Sequence, residues 1–166
     1  MSETLKPKLI VFDLDYTLWP FWVDTHVTPP FSKKNGKIYD KQNREIKPYP
    51  EVPEVLSDLH TKGFELAIAS RTSEIEGANQ LVKLFGWDKY FKFKEIYPGC
   101  KIKHFSKFCQ ASGYKHEEML FFDDETRNIR DLSEKGVTCI LVPGEGTSKK
   151  LVDHGLDQFA KKKAGN

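Results

Sequence analysis

The sequence predicts an α/β fold: a Rossmann-like parallel sheet with helices on both faces. Short apolar runs alternate along the chain with amphipathic segments of about ten residues, as in βαβ units. Glycines follow the amphipathic segments at the positions where helices commonly end. A length of 166 residues suits one domain, so we expect a single domain over residues 1–166.

The predicted strands are the apolar runs. Leu9–Phe12 is apolar at every position, which is typical of a strand that is buried on both faces. Further strands are predicted at FELAIAS (64–70), MLFFDD (119–124) and VTCILV (137–142). The segment KFKEIYPG is interpreted as a lead into the next helix, with its aromatic residues in the core.

The predicted helices occupy the segments between these runs. Val55, Leu56 and Leu59 have helical spacing and precede Gly63. Ser73, three residues before Glu76, predicts a capping box at the start of the next helix. The predicted bounds are 53–62, 73–85, 102–111 and 126–135, and the lysines at 161–163 are interpreted as a solvated helix end.

One long segment interrupts the alternation. Residues 20–50 are rich in proline, and Asn35-Gly36 predicts a small hairpin with a type I′ turn. Connections longer than about 12–15 residues are usually functional or disordered. We therefore expect a flap or hairpin insert at about 20–50 that lies over the strand ends in place of a cap domain.

Composition argues against several classes of protein. A net charge of +2 does not indicate a nucleic-acid partner, and no apolar run is long enough to span a membrane. Residues 1–8 lack the apolar centre of a signal peptide, so we expect an intracellular, cytoplasmic protein. Three cysteines without paired spacing predict free thiols. We further expect a monomer that binds neither nucleic acid nor membranes.

Polar side chains follow three of the predicted strands. Asp13 and Asp15 follow the first, Ser70 and Arg71 follow the second, and the pair Asp123-Asp124 closes MLFFDD. In open parallel sheets, ligands bind outside the carboxyl ends of the strands. These groups should therefore meet at one edge of the sheet.

Four carboxylates at one edge would repel each other unless a cation neutralised them. Oxygen ligands without a set of histidines or cysteines favour Mg²⁺, which usually accompanies phosphate chemistry. Ser70 could bind phosphate oxygens, and a lysine could neutralise the transferred group. Lys101 is preferred to Lys103 because it should lie at the start of its helix.

The motifs FDLDYTL, Ser70 after ELAIA, Lys101 or Lys103, and Asp123-Asp124 resemble, in order, the four motifs of the haloacid dehalogenase superfamily. DLDYTLWPFW, ASRTSEI and the small insert are similar to a group of magnesium-dependent phosphatases within it. The resemblance implies hydrolysis of phosphomonoesters through an aspartyl phosphate. It also implies a phosphorylated small-molecule or protein substrate, with phosphotyrosine and protein-attached sugar phosphates (fructosamine phosphates) as candidates.

The resemblance also implies roles for individual residues. Asp13 would attack phosphorus, and Asp15 would protonate the leaving oxygen and then activate water. Asp13, the Asp15 carbonyl and Asp124 would bind Mg²⁺. Asp123 would orient Asp124 or a metal-bound water, although a carboxylate at the strand end, such as Asp123, could also face the metal itself.

Phosphate would be held by the Leu14 amide, Ser70 and Lys101, with Arg71 as a possible clamp. Thr17 would fix the turn after Asp15 through the backbone. Trp19, Phe21 and Trp22 would either line the leaving-group side of the site or anchor the insert, with Trp22 the favoured substrate contact.

A receiver-like phosphoacceptor domain is the alternative function. Such domains also combine a parallel α/β fold, Mg²⁺, an acid pair, a hydroxyl and a lysine. They place the acid pair early and a single phosphorylated aspartate later, whereas this chain begins with Asp13-Leu14-Asp15. Asp15 would also have no task in a domain that protonates no leaving group.

Overall fold

A computed structural model describes residues 5–165. A parallel five-stranded sheet forms its centre, with the strand order β6-β5-β1-β7-β8. These strands are β1 (Leu9–Phe12), β5 (Leu66–Ser70), β6 (Phe91–Ile96), β7 (Met119–Asp123) and β8 (Thr138–Leu141). The predicted parallel α/β architecture is confirmed, with β1 at the centre of the sheet.

Helices cover both faces of the sheet, as predicted. They are α1 (Val52–Thr61), α2 (Ile75–Leu84), α3 (Lys101–Ser112), α4 (Thr126–Ser133) and α5 (Lys149–Gly165). Successive side chains of a strand point to opposite faces, so β1 contributes to two cores. Ile10 and Phe12 belong to the core that holds side chains of α1, α2 and α5. Leu9 and Val11 belong to the core that holds side chains of α3 and α4.

Two sequence predictions at this level are wrong. The segment read as a lead into α3 forms β6, an edge strand, and it shows no continuous apolar run because its central side chains are exposed or only half-buried. The predicted Ser73 capping box is absent. Glu74 is the N-cap of α2, and its own side chain accepts a hydrogen bond from the Gly77 amide. The Ser73 hydroxyl instead donates to Asp24.

The insert forms a small antiparallel sheet of β2 (Ser32–Lys34), β3 (Lys37–Tyr39) and β4 (Glu45–Ile46). Asn35 and Gly36 both have positive φ, as the predicted type I′ turn requires. Ile38 and Ile46 are buried in the core shared with α1, α2 and α5. The insert thus packs into the central core, in place of a large cap.

Among residues 5–165, no helix has the length and apolar character needed to cross a membrane. The three cysteines are free thiols, as predicted.

Candidate active site

A cavity of about 310 Å³ opens at the carboxyl ends of the parallel strands. It is lined by residues at or just after the ends of β1, β5 and β7, by the starts of α3 and α4 and by one turn of the insert. The lining residues are Asp13, Asp15, Trp22, Asp24, Thr25, Ser70, Arg71, Thr72, Lys101, Asp124, Glu125 and Asn128. The predicted convergence of polar strand-end residues is therefore present.

Three carboxylates form a tight cluster at the cavity floor. Asp13, Asp123 and Asp124 each place an oxygen within 4.8 Å of the other two. Lys101, the first residue of α3, is 1% exposed. Its Nζ lies 2.8 Å from Asp13 Oδ1 and 2.7 Å from Asp123 Oδ2. One buried ammonium thus bridges two carboxylates, whereas Lys103 is exposed.

Burial and mutual repulsion shape the protonation of this cluster. The pKa of Asp13 is raised well above its ordinary value by burial and by Asp123, although Lys101 opposes the shift. Burial raises the pKa of Asp124 to about 6. For Lys101, the two carboxylates outweigh burial and raise its pKa. Three carboxyl groups can carry more negative charge than the single lysine can neutralise.

Hard oxygen donors with surplus negative charge fit Mg²⁺ and do not suit a softer metal. Both carboxylate oxygens of Asp123 already accept hydrogen bonds from the protein. Its Oδ2 accepts from Lys101 and Asn128, and its Oδ1 accepts from the Glu125 amide. Asp124 lines the cavity, whereas Asp123 is fully buried. This difference agrees with Asp124 as the direct ligand, which stays a prediction.

Asp15 is held by two donors that reach the same oxygen. Trp19 Nε1 lies 2.8 Å and the Val23 amide 3.1 Å from Asp15 Oδ1. Burial raises the pKa of Asp15 to about 6, and these two hydrogen bonds oppose that rise. The following residue, Tyr16, has a φ of 57°, so the chain reverses sharply right after Asp15. Asp15 is thus fixed in orientation while it remains able to carry a proton.

Trp19 and Trp22 correspond to different ones of the two predicted roles, which were to anchor the insert or to line the site. Trp19 is fully buried and stacks on Phe21 and Trp87, so it anchors the insert and orients Asp15. Trp22 is 49% exposed at the cavity and stacks on His26 with ring centroids 5.1 Å apart. The part of the insert that lines the cavity is this turn, and the small antiparallel sheet contributes no lining residue.

The predicted phosphate-binding groups surround the acid cluster. The Ser70 side chain is buried at the end of β5, and its Oγ accepts from the Thr72 amide. Within residues 5–165, no acceptor pairs with the Leu14 amide, so it is free to donate. Arg71 donates to Asn128 Oδ1 at 3.2 Å. Thr17 Oγ1 donates to Asp13 Oδ2 rather than to the backbone, which corrects the predicted contact.

Sequence reasoning missed several lining residues, of which Asn128 connects two predicted site residues. It is 1% exposed, accepts from Arg71 and donates to Asp123. Its signal in the sequence was its position in the first turn of the helix that follows Asp123-Asp124. A side chain in that turn can reach back to the strand end. Asp24, Thr25, Thr72 and Glu125 were also missed, and they carried no comparable signal.

A sequence model of the family described as acid phosphatase matches residues 5–162. The chain belongs to the acid phosphatase family. It is 55% identical over 160 residues to human magnesium-dependent phosphatase 1, covering 96% of this chain and 90% of that protein. It is 41% identical over 146 residues to a HAD-like hydrolase superfamily protein of Schizosaccharomyces pombe, covering 81% of this chain and 84% of that one.

Solved structures share the fold at low sequence identity. A HAD-superfamily hydrolase from Ehrlichia chaffeensis aligns with a TM-score of 0.66 at 13% identity, covering 94% of this chain and 97% of that one. The N-terminal part of a Bacteroides fragilis protein, which contains a phosphatase domain complexed with Mg, also aligns with a TM-score of 0.66. That alignment has 18% identity and covers 95% of this chain and 42% of the other.

The family model and the relative that is 41% identical confirm the predicted haloacid dehalogenase superfamily. The name of the relative that is 55% identical agrees with the predicted magnesium cofactor. The chain is therefore a phosphatase-family member of that superfamily, and the relative named for its dependence on magnesium agrees with the acid cluster at the cavity floor. The family assignment favours the phosphatase over the receiver-like alternative.

Proposed function

We propose that the chain hydrolyses phosphomonoesters through an aspartyl phosphate on Asp13. The supporting observation is that Asp13 and Asp15 line the same cavity in different environments. Asp13 is paired with Lys101, whereas Asp15 is held by an indole and a backbone amide. Two carboxyl groups in contrasting surroundings can divide the nucleophile and acid roles between them.

In the first step, an Asp13 oxygen forms a bond to phosphorus while the ester bond to the leaving oxygen breaks. Asp15 gives its proton to that leaving oxygen. In the second step, Asp15 takes a proton from water as the water oxygen attacks phosphorus, and the bond to Asp13 breaks to release inorganic phosphate. The pKa of Asp15, raised to about 6 by burial, suits a group that must exchange a proton near neutral pH.

Ser70, Arg71 and Lys101 line the cavity and, together with the Leu14 amide, would hold the phosphate oxygens through these steps. Their donors are fixed before substrate arrives, which limits the reorganisation needed in the transition state. Asp13, the Asp15 carbonyl and Asp124 would hold magnesium. Bound magnesium supplies a positive charge that offsets the acid cluster and the negative charge on the phosphoryl group.

Asp15→Asn tests the acid and base roles through the leaving group. We expect kcat for an alkyl phosphate to fall by about 10²–10⁴-fold, because its leaving oxygen needs a proton. With 4-nitrophenyl phosphate, the first step should survive and the second should slow. Rapid mixing should therefore record a burst of about one nitrophenolate per enzyme, followed by slow turnover.

Asp153→Asn is the matched control, since Asp153 is exposed on α5 and does not line the cavity. It should behave like the wild type with both substrates. Equal losses for both leaving groups without a burst would contradict the assignment of Asp15.

For the substrate, we propose a phosphate carried by a protein, either on tyrosine or on an attached sugar such as a fructosamine phosphate. The small insert packs into the core and leaves the cavity open at the rim. The half-exposed indole of Trp22 is held against His26, and Tyr16 contacts it edge-on. A fixed aromatic surface at an open rim suits a ring that projects from a larger molecule.

A substrate panel tests this proposal by kcat/KM. It compares phosphotyrosine peptides, protein-attached sugar phosphates and the corresponding free sugar phosphates. One attached class should exceed the free sugar phosphates by about tenfold, which corresponds to about 1.4 kcal/mol of transition-state binding. Trp22→Ala should reduce that preference, and Trp22→Phe should retain most of it because a ring remains. Differences of only a few-fold across the panel would refute the proposed substrate class.

A further inference from the structure

His104 is a buried histidine that lies outside the lining of the active-site cavity. It lies in the first half of α3, three residues after Lys101, and is 0% exposed. Its Nε2 lies 2.8 Å from the Ser70 carbonyl oxygen and 2.9 Å from the Tyr97 carbonyl oxygen. One ring nitrogen therefore contacts two separate backbone segments.

The contacts at Nε2 indicate where the ring carries a hydrogen. Both groups near Nε2 are carbonyl oxygens, which only accept hydrogen bonds, so Nε2 must carry a hydrogen. Nδ1 lies 3.3 Å from the Cys100 carbonyl oxygen. The ring also stacks on Tyr97, with centroids 4.2 Å apart and an interplanar angle of 18°. The contacts at Nε2 thus hold the ring within its plane, and the stacking on Tyr97 holds one of its faces.

The contacted segments carry the two side chains at the phosphate end of the cavity. Ser70 is the last residue of β5, and its carbonyl also accepts from the Tyr97 amide. Residues 97–100 connect β6 to α3, which begins at Lys101. His104 therefore joins the strand end that presents Ser70 to the segment that presents Lys101.

We propose that His104 is a positioning residue that sets the spacing between Ser70 and Lys101, and thereby the affinity of the site for a phosphate group. It acts through the two carbonyls and does not line the cavity itself. The inference rests on the proposed function, in which Ser70 and Lys101 hold the phosphate. Removal of the imidazole leaves the two buried carbonyls without this donor, so both segments can shift.

Three substitutions at one position separate positioning from simple packing. The side-chain amide of His104→Gln can place an N–H near the position of Nε2, whereas that of His104→Asn reaches only the position of Nδ1. His104→Ala removes the ring and with it the Nε2 donor. The readout is the binding of inorganic phosphate to the magnesium-loaded protein by calorimetry, together with KM and kcat for 4-nitrophenyl phosphate.

We expect His104→Ala to bind phosphate about tenfold more weakly, the effect of losing one buried hydrogen-bond donor. KM should rise by a similar factor and kcat should fall less. His104→Gln should recover most of the affinity, and His104→Asn should resemble His104→Ala. Phe108→Leu is the packing control, because Phe108 is buried in the core on the same helix. It should lower the melting temperature and leave phosphate affinity unchanged.

Equal phosphate affinity in the wild type and His104→Ala overturns the positioning role, whatever the hydrolysis assays show. Equal weakening in all three His104 variants overturns the assignment to Nε2. The proposed mechanism can fail separately. If Asp13→Asn remains active while the wild type binds phosphate and hydrolyses esters, the mechanism is overturned and the role of His104 is not.

Discussion

Asp13→Asn is expected to reduce kcat by about four orders of magnitude or more, as in enzymes that lose their nucleophile. An asparagine side chain retains the shape of aspartate but lacks the carboxylate that attacks phosphorus. The Lys101 ammonium keeps its 2.7 Å contact with Asp123, so the charge that neutralises the cluster stays paired. The loss should therefore arise in the chemical step and not in folding.

The stability of this variant makes the result interpretable. The raised pKa of Asp13 means that the folded protein disfavours its ionised form. A neutral amide at this position should leave the metal-free protein at least as stable as the wild type at neutral pH. The measurements are kcat, thermal unfolding and a rapid-mixing assay, in which this variant should show no burst. Substantial turnover by Asp13→Asn would refute the nucleophile assignment.

Lys101→Met should have the largest effect on stability. We expect the free energy of unfolding to fall by about 3–5 kcal/mol at neutral pH, as when one partner of a buried ion pair is removed. Methionine has a similar length but no charge, so the carboxylates of Asp13 and Asp123 would remain buried without their shared cation. Denaturant unfolding of the metal-free protein measures the loss.

The loss should depend on pH, with a direction set by the raised pKa values. A carboxyl group with a higher pKa in the folded chain binds more protons when folded, so stability falls as pH rises between the two values. For Asp124 this interval runs from an unfolded pKa of about 3.9 to about 6 in the folded protein. Lys101 lowers the pKa of Asp13, so its removal extends the interval for Asp13 to higher pH.

Lys101→Met should therefore be less destabilised at about pH 5 than at about pH 7, because protonation relieves the uncompensated charge. Lys103→Met is the matched control, since Lys103 is exposed on the same helix. It should change stability by no more than about 0.5 kcal/mol at either pH. A pH-independent loss in Lys101→Met would mean that packing, and not charge, accounts for the effect.

Much of the site could be predicted because local patterns place its residues on known elements. An apolar run that ends in Asp13-Leu14-Asp15 positions both carboxyl groups at a strand end, and the topology of parallel sheets places Ser70 and Asp124 beside them. The edge strand β6 was missed because its lysines interrupt the apolar signal. The Ser73 capping box was wrong because Ser73 instead donates to Asp24, a residue 49 positions earlier in the chain.

From the sequence alone, periodicity predicted the fold class and placed acidic, hydroxyl and basic groups at the strand ends, because periodicity is a local property of the chain. The resemblance of four motifs, in order, indicated the superfamily. The tertiary structure distinguished Asp123, saturated by Lys101, Asn128 and the Glu125 amide, from Asp124 in the cavity. It also showed Trp19 as an anchor and His104 as a link between two segments. These distinctions depend on burial and on hydrogen bonds between residues distant in the chain, which no local pattern encodes.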